Sequence, residues 1–104
     1  MTNQEIFDKA SQHLLSQDTK SLDKNGKCAY RGLDNSKCAV GIFIPDNEYK
    51  ETMEGIPANR VYILSLKNLN ISLLCSLQVV HDKYEPKEWS NKLSELAKKW
   101  NLTL

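Results

Sequence analysis

Side chains that could do chemistry are concentrated in two short parts of this 104-residue chain. The first part is Cys-Ala-Tyr-Arg-Gly at 28–32, followed by Lys-Cys-Ala-Val-Gly at 37–41, and the second is Gln-x-x-His-Asp at 78–82. Together they supply thiols, a phenol, a guanidinium, an imidazole and a carboxylate. Because the rest of the chain is plain, we expect these segments to converge in space and to form one site.

A cysteine nucleophile is the first chemistry that these residues could support. A helix beginning just before Cys38 would place the thiol in its first turn, where the helix dipole and Lys37 would lower its pKa. His81 would then be the general base, and Asp82 or Gln78 would orient its ring. Neighbouring residues on a helix point about 100° apart, so His81 and Asp82 are not expected to pair directly. The alternative prediction is therefore a hydrolase or transferase with Cys38, His81 and Asp82 as catalytic residues.

A metal site is the second possibility. Cys28, Cys38 and His81 could supply three ligands, and Asp82 or Cys75 could supply a fourth. Structural zinc sites usually contain close cysteine pairs such as C-x2-C, and this sequence has none. The sequence therefore predicts that the protein binds no metal and no other cofactor.

An anion site is the third possibility. Arg31 and Lys37 flank a turn rich in glycine and asparagine, and a helix beginning there would offer backbone amides to a phosphate or carboxylate. The arginine could add a bidentate contact. Charged side chains near turns are usually solvated, however, which favours an arginine that only covers its neighbouring tyrosine or pairs with Asp34. The predicted ligand-binding residues all lie in the two polar segments and are Tyr30, Arg31, Lys37, Gln78 and His81.

The overall composition limits the class of protein. Lys and Arg number 14 against 13 Asp and Glu, which gives a net charge of +1. This balance excludes a strongly basic protein that wraps nucleic acid and an acidic mimic of DNA, so a nucleic-acid partner is not expected. The length and the hydrophobic fraction of 40% predict one globular domain over residues 1–104.

The termini and the cysteines suggest a compartment. The first ten residues, MTNQEIFDKA, lack the apolar stretch of a secretory signal. No run approaches the roughly 18 apolar residues of a membrane span, so no membrane partner is expected. Three cysteines are an odd count without the dense spacing of a secreted disulfide scaffold. We therefore expect a reduced, cytoplasmic protein.

Three long helices are predicted to position the polar segments. Thr2 and Glu5 have the spacing of a capping box, which predicts a first helix from Thr2 to Gln17. Leucines at helical spacing predict a helix over 71–84, and Pro86 is typical of the first turn of a final helix. Because the last two helices are joined tightly, they should form an αα-hairpin.

The middle of the chain is less regular. An Asn-Gly turn predicts a small β-hairpin near residues 20–31, and a short helix capped by Asp46 should end at Gly55. Residues 37–44 fit a buried strand or a buried helix equally. Residues 57–69 are predicted to be helical, although Val-Tyr-Ile-Leu is also typical of a strand. The predicted fold is therefore α+β and mostly helical, with one small hairpin.

The motifs C-x-Y-R-G, K-C-A-V-G, I-P-D-x-x-Y, M-E-G and L-Q-x-x-H-D, followed by a tryptophan, occur in this order over residues 28–89. The set resembles a family of small uncharacterised proteins from bacterial and phage genomes. The resemblance implies a phage or prophage setting and no particular mechanism. The turn at 33–36 departs from the glycine-containing turn of that family. The residues that carry the resemblance are Cys28, Tyr30, Arg31, Gly32, Lys37, Cys38, Ala39, Val40, Gly41, Ile44, Pro45, Asp46, Tyr49, Met53, Glu54, Gly55, Leu77, Gln78, His81, Asp82 and Trp89.

Small size, the implied setting and the lack of a complete catalytic motif favour a binding function. We expect a non-enzymatic accessory protein of a phage or mobile element, in the cytoplasm of a bacterial host. It would bind a host protein or a small anionic ligand, as an inhibitor or modulator of the host or of its defences. The cysteine-dependent enzyme is the alternative, and a third possibility is that the Cys–Tyr–Arg–Cys segment only organises the fold. The oligomeric state is left open.

Overall fold

Three long helices carry the hydrophobic core in a computed structural model, which describes all residues from 1 to 104. Helix α1 spans Asn3–Gln17, the short α2 Leu64–Lys67, α3 Ile71–Lys83 and α4 Pro86–Lys99. Helices α1, α3 and α4 pack against one another in all three pairings. No helix combines the length and apolar character that crossing a bilayer requires.

The ends of the long helices follow local sequence signals. The Glu5 amide donates to the Thr2 hydroxyl over 3.1 Å, and the Thr2 amide donates to the Glu5 carboxylate over 2.8 Å, which completes the predicted capping box. Asn70 accepts from the Leu73 amide over 3.2 Å and begins α3. Pro86 occupies the first turn of α4, as predicted.

The core is one cluster formed by the apolar faces of the helices and by parts of the long connection between α1 and α2. Trp89 on α4 is fully buried, and its indole N–H donates to the Tyr84 carbonyl over 3.0 Å. The largest fully buried aliphatic and aromatic side chains of the long helices are Ile6, Phe7, Leu14, Leu73, Leu74, Leu77, Trp89 and Leu93.

The predicted β-hairpin does not form. Gly26 adopts the positive φ of 79° that its turn requires, but Leu22 and Cys28 make only one isolated bridge across that turn. The amides of Tyr30 and Arg31, which would extend a strand, donate instead to side-chain oxygens of Glu54. The α+β prediction is therefore wrong: 56% of the residues are helical and no sheet forms.

The other irregular parts of the chain contain four short 3₁₀ turns, at Leu33–Asn35, Gly41–Phe43, Glu51–Met53 and Ala58–Arg60. Residues 37–44 form neither a buried strand nor an α-helix, and Cys38 precedes the second of these turns. Consequently Cys38 does not lie in the first turn of a helix. The helix predicted over 57–69 is limited to one 3₁₀ turn and α2, with an extended stretch between them.

Candidate functional site

The two polar segments converge, as the sequence predicts. The Val40 amide donates to the Gln78 side-chain oxygen over 3.1 Å, which joins the first segment to helix α3. Beside this contact lies an open cavity of about 380 Å³. Its lining residues come from both segments and from the 54–58 turn, and they include Cys28, Tyr30, Cys38, Glu54, Ile56, Ala58, Cys75, Gln78, Val79, Asp82 and Lys83.

His81 is fully buried beside this cavity and is held at both ring nitrogens. The Ser21 amide donates to Nε2 over 2.8 Å, so the proton of the neutral ring lies on Nδ1. Nδ1 lies 2.7 Å from Asp82 Oδ1 and donates to it, and the ring stacks on Trp89 with centroids 5.6 Å apart. The expectation that His81 and Asp82 do not pair is therefore wrong: the two side chains meet although the residues are neighbours on the helix. Neither nitrogen is free to accept a proton from Cys38.

Cys38 is buried, and it does not lie in the first turn of an α-helix, where the helix dipole would lower the pKa of its thiol. Its sulfur accepts from the Gly41 amide over 3.3 Å. Burial raises the pKa of the Cys38 thiol to about 12, and hydrogen bonds from the Gly41 and Val40 amides offset this only in part. Cys38 is therefore a neutral thiol at physiological pH, whereas a nucleophilic cysteine needs a lowered pKa.

Gly41 is required by the close approach of the two segments. A Cβ atom at this position would overlap the carbonyl oxygen of Tyr30. Glycine has no Cβ atom, so at position 41 it allows the 28–32 and 37–41 segments to lie in direct contact. Both segments can then contribute to the lining of the cavity.

Asp82 and Lys83 are exposed charged residues that line the cavity, and the side chain of Asp82 is 39% exposed. Gln78 Nε2 and His81 Nδ1 both lie 2.7 Å from Oδ1, whereas no N–H or O–H group of the protein donates to Oδ2, whose remaining neighbour is the Cys28 thiol. Partial burial raises the pKa of Asp82, but hydrogen bonds from His81, Gln78 and the Cys28 thiol lower it by more, so the net shift is downward. Partial burial and the Asp82 charge raise the pKa of Cys28 to about 11.

Cys28, His81 and Asp82 are the residues closest to a metal-binding arrangement. Their ligand atoms lie within 4.8 Å of one another. A metal on Nδ1 of His81 would, however, place the ring proton on Nε2, directly facing the N–H of Ser21. Because two donors cannot share that contact, His81 does not fit as a ligand, and the two remaining side chains are fewer than zinc requires.

Arg31 and Lys37 lie opposite each other in an isolated bridge, but the Arg31 guanidinium already has partners within the protein. The Arg31 guanidinium donates to the Ile44 carbonyl over 3.1 Å and to Asp46 over 2.7 Å, and it lies 4.3 Å from the ring centre of Tyr49. Lys37 is fixed through its backbone, and its ammonium makes no ion pair. The guanidinium therefore already has an anionic and a carbonyl partner, and neither is the predicted Asp34.

Glu54 organises the site, and the sequence did not single it out as a site residue. One oxygen accepts from the Tyr30 amide over 2.8 Å, and the other accepts from the Arg31 amide over 3.1 Å and the Tyr49 hydroxyl over 2.7 Å. Tyr30 itself is buried and its hydroxyl donates to the Ile56 carbonyl. Glu54 belongs to the M-E-G motif, but nothing in the neighbouring sequence indicates that its carboxylate accepts the amide hydrogen bonds that a neighbouring strand would otherwise accept.

His13 and Gln17 were also missed, because their role is to hold the backbone of the site. His13 Nε2 and the Gln17 amide both donate to the Lys37 carbonyl, over 2.7 Å and 3.0 Å. Gln17 also accepts from the Lys37 amide over 3.0 Å. Helix α1 thereby fixes the segment that leads into Cys38.

Comparison with known proteins gives no match, either to family models, to curated sequences or to solved structures. The geometry of the cavity and its surroundings is therefore the basis for the functional proposal.

Proposed function

We propose that this chain is a non-enzymatic binding protein that takes a small ligand into the cavity beside Asp82. The observation that carries the proposal is the hydrogen bonding of His81, whose ring nitrogens are both occupied by protein partners. An enzyme using Cys38 would need a free base and a reactive thiol, and the contacts of these residues favour neither. The same contacts suit a rigid wall of a binding cavity.

The lining of the cavity favours a ligand with an apolar body and a cationic or hydrogen-bond-donating group. Ile56, Ala58 and Val79 supply apolar surface, and Oδ2 of the ionised Asp82 supplies an acceptor. The other carboxylate, that of Glu54, already accepts three hydrogen bonds. An anionic ligand, which Arg31 and Lys37 suggested, is less suited to this cavity, because two carboxylates and only one ammonium, that of Lys83, line it and neither Arg31 nor Lys37 does.

The biological setting of the proposal rests on the motif resemblance. That resemblance supports an accessory protein of a phage or mobile element acting on its host. All three cysteines are free thiols, which supports placement in a reducing compartment such as the bacterial cytoplasm.

Ligand binding is testable with 2-phenylethylamine as a probe and phenylacetate as its matched anion. We expect the amine to shift the backbone NMR signals of Cys75, Gln78 and Asp82, and to bind at least fivefold tighter than the acid. In Asp82→Asn this preference should largely disappear, because the variant keeps the shape and loses the charge. Equal binding of amine and acid by the native protein, or shifts confined to other surfaces, would contradict the proposal.

Alkylation separates the binding protein from the enzyme. With iodoacetamide at pH 7.5, we expect Cys28 to react faster than Cys38, because Cys28 is exposed and Cys38 is buried. Both rates should rise steeply with pH, since the pKa of each thiol is raised. Mass spectrometry of the digested protein measures both sites. Faster labelling of Cys38 than of Cys28 at pH 7.5 would favour the enzyme instead.

A further inference from the structure

Residues 61–63 form an extended stretch, and Leu64, the first residue of α2, follows them at the surface of the protein. Val61 and Ile63 have extended backbone angles, with φ, ψ of −86°, 115° and −128°, 152°. Their side chains pack on the core, whereas those of Tyr62 and Leu64 are 93% and 71% exposed. This alternation is the pattern of a β-strand, although the protein contains no sheet.

Five backbone groups of residues 61–64 have no hydrogen-bond partner, whereas the Val61 amide donates to the Ala58 carbonyl and the Ile63 carbonyl accepts from the Leu66 and Lys67 amides. The amides of Tyr62, Ile63 and Leu64 donate to no acceptor in the protein, and the carbonyls of Val61 and Tyr62 accept from no donor. In folded proteins such unpaired strands are usually blunted or covered, because they attract other strands. In this protein the unpaired backbone groups lie next to the exposed side chains of Tyr62 and Leu64.

Two open grooves are lined by this stretch. The first, of about 540 Å³, is shared with Lys50, Met53, Ile56 and Arg60, and the second, of about 570 Å³, with Leu66, Lys67 and Leu69. Residues 61–64 line both grooves. There is therefore room for a second strand beside the first.

The charge of the first groove identifies the kind of partner. Lys50 and Arg60 make no ion pair with any residue of the protein. The carboxylate of Glu48, which also lines this groove, is already engaged by the amide and hydroxyl of Ser65, over 3.1 Å and 2.8 Å. The donors of Ser65 are neutral and leave the charge of Glu48 in place, so the groove holds two cations without ion pairs against one carboxylate. This excess of positive charge favours acidic residues. Two copies of the chain would instead bring like charges together.

We propose that residues 61–64 are a docking strand, which pairs with an extended, acidic segment of a partner protein. Backbone hydrogen bonds to the free amides and carbonyls supply the affinity, and Lys50 and Arg60 select carboxylates. Tyr62 and Leu64 contact every second side chain of the added strand. The first groove shares Ile56 with the cavity beside Asp82, but Lys50, Arg60 and residues 61–64 do not line that cavity, so the function of this surface does not depend on the ligand proposed there.

The probe is an acetylated and amidated heptapeptide of sequence DVEVEVD, tested on the full chain by calorimetry and NMR. We expect it to bind at least tenfold tighter than KVKVKVK, and to protect either the Tyr62 amide or the Ile63 amide from hydrogen exchange, because neighbouring amides of a strand point to opposite edges. Two further versions carry N-methyl groups, one on the valines and one on the acidic residues. Because a strand pairs through one edge, only one of these versions should lose binding, by at least tenfold.

Variants locate the binding surface. Arg60→Glu and Tyr62→Ser should each weaken binding of the acidic peptide at least tenfold, with unchanged circular dichroism because both side chains are exposed. Leu33→Ser is the matched control, since Leu33 is 57% exposed on another surface, and it should bind like the native protein. No binding at millimolar peptide, or equal binding of both N-methylated versions, would overturn the proposal. So would a dimer that forms through residues 61–64 and excludes the peptide.

Discussion

At the scale of single residues, the side chains that suggested catalysis are used to hold the site together. His81 accepts from the Ser21 amide and donates to Asp82, so its ring joins the 21–28 segment to helix α3. Gln78 links the Val40 amide to the same carboxylate. Buried polar groups need partners, and each group that finds one inside the protein is unavailable for chemistry.

Asp82→Asn tests this network through its pH dependence. The folded-state pKa of Asp82 is lowered, so its stabilising effect is present above the ordinary value of 3.8 and is lost as pH falls through the folded pKa. At pH 7 we expect the variant to be less stable by about 1 kcal/mol or less, because the side chain is partly exposed and screened.

As the pH decreases below 3.8, the difference between native protein and Asp82→Asn should shrink towards zero. Urea unfolding of the two proteins at each pH measures this difference in the free energy of unfolding. The contributions of the other carboxylates are the same in both proteins and therefore cancel. A difference that stays constant from pH 7 to pH 2 would contradict the role given to the charge.

At the scale of elements, one carboxylate does what a neighbouring strand usually does. The segment after Cys28 has the composition of a strand, but Glu54 accepts from two consecutive amides, those of Tyr30 and Arg31. Because these two amides already have an acceptor, they are not available for the hydrogen bonds of a β-ladder with a second strand. The 28–32 segment is thereby held against the 54–58 turn.

Glu54→Ala should therefore destabilise the protein by about 2–3 kcal/mol, since it leaves two amides and the Tyr49 hydroxyl without their acceptor. Hydrogen exchange should show that the Tyr30 and Arg31 amides lose protection. Glu51→Ala is the control, because Glu51 is exposed in the same part of the chain and makes no side-chain hydrogen bond. Equal effects of the two substitutions on stability would contradict this account of Glu54.

At the scale of the whole molecule, three helices stabilise a long irregular connection. Residues 18–63 contain no α-helix or sheet, yet Cys38, Phe43 and Met53 from this stretch belong to the same hydrophobic cluster as the helices. Gln4 pairs with both backbone groups of Thr103, over 2.7 Å and 3.0 Å, which joins the two ends of the chain. We therefore expect the protein to unfold as one unit.

Leu77→Ala tests the cooperativity of this core. Leu77 is fully buried on α3, and its truncation should cost about 2–5 kcal/mol through lost burial and the cavity that remains. Val79→Ala on the same helix, where the side chain is 41% exposed, should change stability by about 0.5 kcal/mol or less. Circular dichroism and tryptophan fluorescence should give coincident transitions in both variants. Separate transitions would show that residues 18–63 unfold independently of the helices.

The sequence by itself determined the three long helices. Thr2 with Glu5, Asn70 and Pro86 are local signals, because each acts on backbone groups within the same turn. The apolar faces of these helices were predictable for the same reason, since helical periodicity places their residues on one side. The convergence of the two polar segments also followed from their composition.

Tertiary structure alone decided the hairpin and the chemistry of the site. The donors of Tyr30 and Arg31 are satisfied by Glu54, more than twenty residues away in sequence. The protonation of the His81 ring is set by the Ser21 amide, sixty residues distant. Short strands and polar side chains have partners that local spacing does not specify, so their state depends on which groups the folded chain brings within hydrogen-bond distance.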